Sequence, residues 1–376
     1  MSRAEQNRLD CLRLIRSDNV GPATFFRLLE YYGDAASALS ALPELAKRGG
    51  RKRPLKACDP KRAEQELEGL NAIGGQLAIY TDPQYPQHLR ALPDAPPVLS
   101  LLGETALLNN QGIGIVGARN ASAGGMKMAA RFAADIGRAG HPVVSGLARG
   151  IDTAAHHASL ETGTIAVVAG GIDVVYPKEN QKLYEQVAAR GLIVAESPLG
   201  TPPDRRHFPK RNRIIAGLTS GVLVVEAALK SGSLITANMA LDYGRDVYAI
   251  PGSPMDPRSG GTNSLIKQQS AMMVTTPQDI LDDIKTPRHG LFEVTYNHEF
   301  SQPPGDTPRV PDPFRAEDTS PLHVVLPDLL SYSPIHADEL IRRAGHPAAQ
   351  VLAALMEMEL AGRIERHPGN KISLLD

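Results

Sequence analysis

Cysteine is nearly absent from this 376-residue chain. Cys11 and Cys58 lack the close spacing of a metal site and are too few for a disulfide framework, so both are expected to be reduced thiols, with no metal or cofactor implied. Long hydrophobic runs are missing as well. No stretch of about 18 uninterrupted apolar residues occurs, and the opening MSRAEQNRLD lacks the apolar core of a secretory signal, which predicts a cytoplasmic protein with no membrane span. Neither sign of charge is in excess: 40 Lys and Arg face 41 Asp and Glu, for a formal charge of −1. The molecule is no general polycation, and any site for a polyanion must be local.

What is present points to several units, since the length exceeds one ordinary domain and 42% of the residues are apolar. Residues 1–75 read as a helical N-terminal domain, with Leu9, Leu12, Ile15, Phe25, Leu28, Leu29 and Leu39 near helical spacing. Its Asn19–Thr24 segment is either a helix-hairpin-helix (SAM-like) turn able to hold a phosphate or an ordinary Gly-Pro turn. Residues 76–285 alternate short apolar runs with helical stretches, the pattern of a Rossmann-like parallel sheet with helices on both faces. Strands are predicted at 113–116, 143–145, 165–169, 192–195, 222–226, 247–250 and 272–274, with an edge strand at 98–102. Residues 286–319 are proline-rich and read as a linker, and residues 320–376 read as a C-terminal winged helix. Its third helix, 347–361, holds Glu357 and Glu359 but no Lys or Arg, which argues against reading DNA in a major groove.

Ligands of such sheets bind beyond the carboxyl ends of the strands, so the residues just after each strand carry the argument. A literal G-x-G-x-x-G at Gly112, Gly114 and Gly117 fits a dinucleotide site poorly. Its first two glycines fall in or before the strand, and Asp135 lies inside a helical stretch. Arg119 follows the first of the central strands, where an anion would sit. Ser145, Gly146, Arg149 and Gly150 follow the next and open a helix, offering backbone N–H groups, a hydroxyl and a guanidinium to a phosphate. Asp152 reads as a helix cap, His156 and His157 as packing or surface residues, and Glu226 as a brace for an arginine. Lys178 follows the third strand, and Arg205–Arg213 places five positive charges within nine residues after the fourth. Within that cluster Lys210, Arg211 and Arg213 are expected at phosphates. Phe208 is read either as a base-stacking ring or as a buried anchor, and Asn212 either as a base contact or as a turn brace. Hydroxyls of Ser231–Thr236, Thr236 among them, are expected to extend the phosphate track.

These elements together resemble the DNA-processing protein A (DprA/Smf) family. The resemblance runs over residues 80–285 through GARxAS at 117–122, SGLARGID at 145–152, YPKEN at 176–180, FPKRNRIIAGL at 208–218, VVEAALKSGSLITA at 224–237 and GRDVYAIPG at 244–252. It implies a non-enzymatic recombination mediator that binds single-stranded DNA, loads RecA recombinase during natural transformation and forms a homodimer. Ala228, Leu229, Met239, Leu241 and the segment near Met272 are candidates for the dimer patch. In the family, DNA-groove residues lie in the motifs that here hold Arg119, Lys178, Lys210, Arg211 and Arg213, with Ser145, Gly146 and Arg149 matching the phosphate loop. The alternative is a nucleotide phosphoribohydrolase of the lysine-decarboxylase-like Rossmann group. It requires a P-G-G-x-G-T element, and Pro251-Gly252-Ser253 does not continue that way.

Overall fold

The apolar runs of residues 76–274 close into one nine-stranded sheet. Its strands are β1 (Gln76–Ile79), β2 (Val98–Gly103), β3 (Gly112–Val116), β4 (Val143–Ser145), β5 (Thr164–Gly171), β6 (Leu192–Ser197), β7 (Thr219–Val224), β8 (Asp246–Ala249) and β9 (Met272–Met273). The order is β1-β2-β6-β5-β4-β3-β7-β8-β9. From β6 to β9 every pairing is parallel, while β2 runs antiparallel to β6 and β1 antiparallel to β2. The chain winds outward from β3 in one direction through β4, β5 and β6, then returns to β7 on the other side, which makes the sheet doubly wound. The computed structural model describes residues 2–53, 55–285, 320–367 and 369–375; the linker expected at 286–319 lies outside them. Two units result, residues 66–295 and residues 1–65 with 296–376.

Strands buried on both faces favour near-continuous apolar runs, and β3 to β5 are buried throughout, with only Ser145 and Thr164 polar. Helices Ala123–Arg138, Ile151–Ser159 and Pro277–Lys285 pack on one face, where Phe132, Ile136, Ile151 and Ile280 meet Ile113, Ile115 and Leu223. Helices His207–Gly217 and Gly232–Asp242 pack together over β5, β7 and β8. Two of these helix starts are capped by a serine side chain. Ser122 caps Ala123–Arg138 by accepting from the Gly125 N–H at 2.9 Å, and Ser231 caps Gly232–Asp242.

In the other unit, helices Arg3–Ile15, Pro22–Tyr32 and Ala35–Arg48 bury Leu12, Leu14, Phe25, Leu28 and Leu42. The winged helix has helices Ser320–Leu329, Ala337–Ala344 and Ala348–Leu360. Its three-stranded sheet places Lys371–Leu374 between Ile335–His336 and Ile364–His367. Among the described residues no helix is long and apolar enough to cross a membrane.

Candidate nucleic-acid interface

Four loops at the carboxyl ends of β3, β4, β5 and β6 converge on a cleft of about 440 Å³. Arg119, Gly146, Arg149, Lys178, Phe208 and Arg211 line it, together with Tyr176 and the end of β5, Val168 to Gly170. At its centre the Arg119 guanidinium carbon stands 5.1 Å from the centroid of the Phe208 ring, which lies 5.8 Å from the Tyr176 ring at an interplanar angle of 54°. Arg119 is exposed, Phe208 half-buried and Tyr176 46% exposed, so a cation and two aromatic faces are open to a flat ligand. Arg149 and Glu179 face each other at 3.9 Å, both more than half exposed. Arg205 and Lys210 are exposed on the segment that begins helix His207–Gly217, outside the cleft lining.

The loop after β4 differs from the expectation that its amides are free for phosphate. Asp152 Oδ2 accepts from the N–H groups of Gly146 and Ala148 at 3.1 and 3.3 Å, and His156 Nε2 accepts from Leu147 at 3.3 Å. Asp152 is therefore not the helix cap expected of it: the N-cap residue is Gly150, with no side-chain cap bond, and the Asp152 carboxylate braces the loop before the helix. Ser145 is buried, and its hydroxyl donates to the Ile115 carbonyl at 2.6 Å, bracing β4 against β3. Asn180 donates to the Leu147 carbonyl at 2.8 Å and to Thr153 Oγ1 at 2.9 Å, which ties the loops after β4 and β5 together. Gly150 has φ +78°, and a Cβ there would come within 2.3 Å of the Ala118 carbonyl oxygen, so only glycine lets this loop lie against the one carrying Arg119.

His156 is fully buried, and burial, with the Arg211 and His157 charges, pushes its pKa from 6.5 down to about 3. The unfolded chain therefore binds this proton at a pH where the folded one does not, so stability is full above pH 6.5 and falls on acidification. Between about pH 7.5 and pH 5.5 the parent is expected to lose roughly 1.4 kcal/mol more than a His156→Gln variant, as read by urea unfolding. Burial raises the Asp152 pKa, against Arg211 and the loop amides, and acts in the opposite sense. That residue is common to both proteins and cancels in the comparison. An equal pH dependence in the two would rule out a neutral, load-carrying His156.

The basic cluster divides by burial. Arg211 is 7% exposed beneath the Gly146 loop, donates through Nη1 to the Val167 carbonyl at 2.8 Å, and among the described residues its buried Nε has no acceptor. Burial pushes its pKa down to about 10, with Asp152 opposing and Arg119 reinforcing that shift. It forms part of the cleft floor. Arg213, 3% exposed, donates to Glu196 and to the Asp94 carbonyl. Burial works against its charge, but Glu196 and Asp94 more than offset this and hold its pKa above the ordinary value. Arg213 is therefore occupied inside the protein, and Asn212 is buried beside it. Thr236 is buried at 2% in helix Gly232–Asp242 and outside the cleft lining. The Glu226 carboxylate accepts from the Ser122 N–H at 2.9 Å and from the Ser122 hydroxyl at 2.5 Å, filling the start of helix Ala123–Arg138, and among the described residues its charge also favours the charged form of Arg258. Tyr176, Asn180 and the Asp152–His156 brace escaped the reading by residue type, although YPKEN contains the first two.

This architecture defines a Rossmann-like α/β protein with an arginine- and aromatic-lined cleft at its strand ends, flanked by helical and winged-helix segments. The chain belongs to the DNA recombination-mediator protein A family, whose model matches residues 76–285. A DprA-like N-terminal HHH domain matches residues 5–69, and a DprA winged helix domain matches residues 310–370. Protein Smf of Escherichia coli is 39% identical over 322 residues, 84% of this chain and 81% of that protein. The X-ray structure of DNA processing protein A from Streptococcus pneumoniae superposes with a TM-score of 0.63 at 36% identity, covering 75% of this chain and 98% of that one. DNA processing protein A from Helicobacter pylori, whose structure was described for its unique single-stranded DNA binding mode, superposes at 0.52 and 28% identity, covering 56% and 95%.

Proposed function

We propose that the cleft binds single-stranded DNA without cutting it, and that the protein mediates RecA loading for homologous recombination during natural transformation, in the cytoplasm. The observation that carries the DNA reading is the Arg119–Phe208–Tyr176 group set among exposed cations. A stacking face beside point charges suits an unpaired base and its backbone, whereas a duplex keeps its bases stacked inside. The H. pylori relative supports the same ligand. RecA as partner rests on family membership. The phosphoribohydrolase alternative is not favoured, because the family match covers residues 76–285, the nine-stranded sheet and its helices.

Among the exposed cations at or beside the cleft are Arg119, Arg149, Lys178, Arg205 and Lys210. If each meets one phosphate, log affinity against log salt has a slope of about −3.5, from about −0.7 per contact on single strands. Lys178→Ala is expected to flatten it by about 0.7. Gel shifts of single- and double-stranded oligonucleotides across salt test this. An unchanged slope and affinity in Lys178→Ala would place the groove elsewhere.

Homodimerisation is proposed through the central unit, where Leu229, Ile235, Leu241, Met272 and Met273 are exposed, Leu229 at 68%. Met239, expected in the same patch, is core at 7% exposure. Sedimentation showing only monomer at high protein concentration rejects the dimer.

A further inference from the structure

A winged helix that reads DNA turns a basic third helix toward the groove. Here the third helix buries two acids, Glu357 at 0% and Glu359 at 7% exposure. Carboxylates leave water only where partners replace it, and partners come from residues 19–51 as well as from the winged helix itself. Glu357 Oε1 stands 3.2 Å from Arg48 Nε, and its Oε2 stands 2.7 Å from His323 Nε2. Glu359 Oε2 accepts from Thr24 Oγ1 at 2.5 Å and from Arg366 Nε at 2.8 Å. At the helix end the Leu360 carbonyl accepts from Asn19 Nδ2 at 3.0 Å and Arg51 Nη1 at 3.3 Å. The backbones close up too, since a Cβ on Gly49 would lie 1.9 Å from the Glu357 carbonyl oxygen.

We propose that the third helix is a protein-docking surface whose occupant is this chain's own N-terminal helical segment, residues 19–51. The contact withdraws two elements from DNA at once. One is the helix itself. The other is the Asn19–Thr24 turn, against which Glu359 sets its carboxylate, with Oε1 3.3 Å from where a Cβ on Gly21 would stand. The pairing is set by charge and by fit: Arg48 and the Thr24 hydroxyl meet two acids, and Gly49 admits the helix backbone.

The full chain, given a protease site between residues 286 and 319 and then cleaved, is held together by non-covalent contact alone. The C-terminal piece is expected to remain with the rest, with a Kd below about 10 µM. Arg48→Met and Thr24→Val leave His323 and Arg366 in place, so the winged helix keeps its own contacts. Each is expected to weaken retention about tenfold or more. Arg342→Ala, at a side chain 74% exposed and paired with Glu339 on its own helix, is expected to leave it unchanged. Release of the parent's piece overturns the proposal, as does retention unaltered in both interface variants. Release in Arg342→Ala as well would also overturn it, because fragile folding of the piece would then explain the loss.

Discussion

Replacing Arg213 with alanine is expected to destabilise the central unit by about 3–5 kcal/mol, the usual cost of leaving a buried ionic partner uncompensated. The Arg213 side chain is 4% exposed and its partner Glu196 20% exposed. Together they tie helix His207–Gly217 to the end of β6, while the bond to the Asp94 carbonyl ties the same helix to the Pro-rich segment before β2. Tyr243 reinforces that corner by donating to Asp94 Oδ1 at 2.8 Å. For a unit of this size the loss corresponds to a fall in melting temperature on the order of 10 °C. The salt slope of DNA binding measured below the transition should stay at the parent's value, since the Arg213 guanidinium is buried against Glu196 and the Asp94 carbonyl. A variant as stable as the parent, with a slope flattened by about 0.7, would return Arg213 to the groove.

Arg213 also marks where residue type stops informing. Arg205 to Arg213 reads as one basic cluster, yet its members divide between surface and interior because helix His207–Gly217 packs across β5 and β7. β5 lies some way back along the chain and the Asp94 carbonyl that Arg213 meets lies 119 residues away, so no local pattern reports which arginine turns inward. Ser145 is a similar case: it looked like a phosphate donor, and only the neighbouring β3 carbonyl decides that its hydroxyl turns inward. The parallel strands were legible because burial on both faces demands continuous apolar runs. Strand β1 was not, being four residues long and dependent on antiparallel pairing with β2. Strand β7 was placed at 222–226 but runs over Thr219–Val224, since its first residues, Thr-Ser-Gly, carry no apolar signal. The acids of the third winged helix were legible in the sequence, and the structure buries both of them. Two of their partners, Thr24 and Arg48, lie more than 300 residues away in sequence, beyond any periodicity argument.

Phe208→Ala is expected to weaken single-stranded DNA binding by roughly 1–3 kcal/mol, or about 5- to 160-fold, while leaving the salt slope unchanged. The ring stands 5.1 Å from the Arg119 guanidinium carbon and 5.8 Å from the Tyr176 ring, so its removal takes away a stacking face and also a surface that Arg119 rests on. Arg119→Ala should differ in kind, weakening binding and flattening the slope by about 0.7 together. Phe208→Trp keeps a π-face and should recover most of the affinity. Had Phe208 served only to anchor its loop, alanine would lower the unfolding temperature and leave the affinity of the folded protein intact. Melting curves alongside titrations with one oligonucleotide at several salt concentrations separate these outcomes. Equal affinity in folded Phe208→Ala and parent would remove base stacking from the mechanism, leaving the cleft to act through its charges alone.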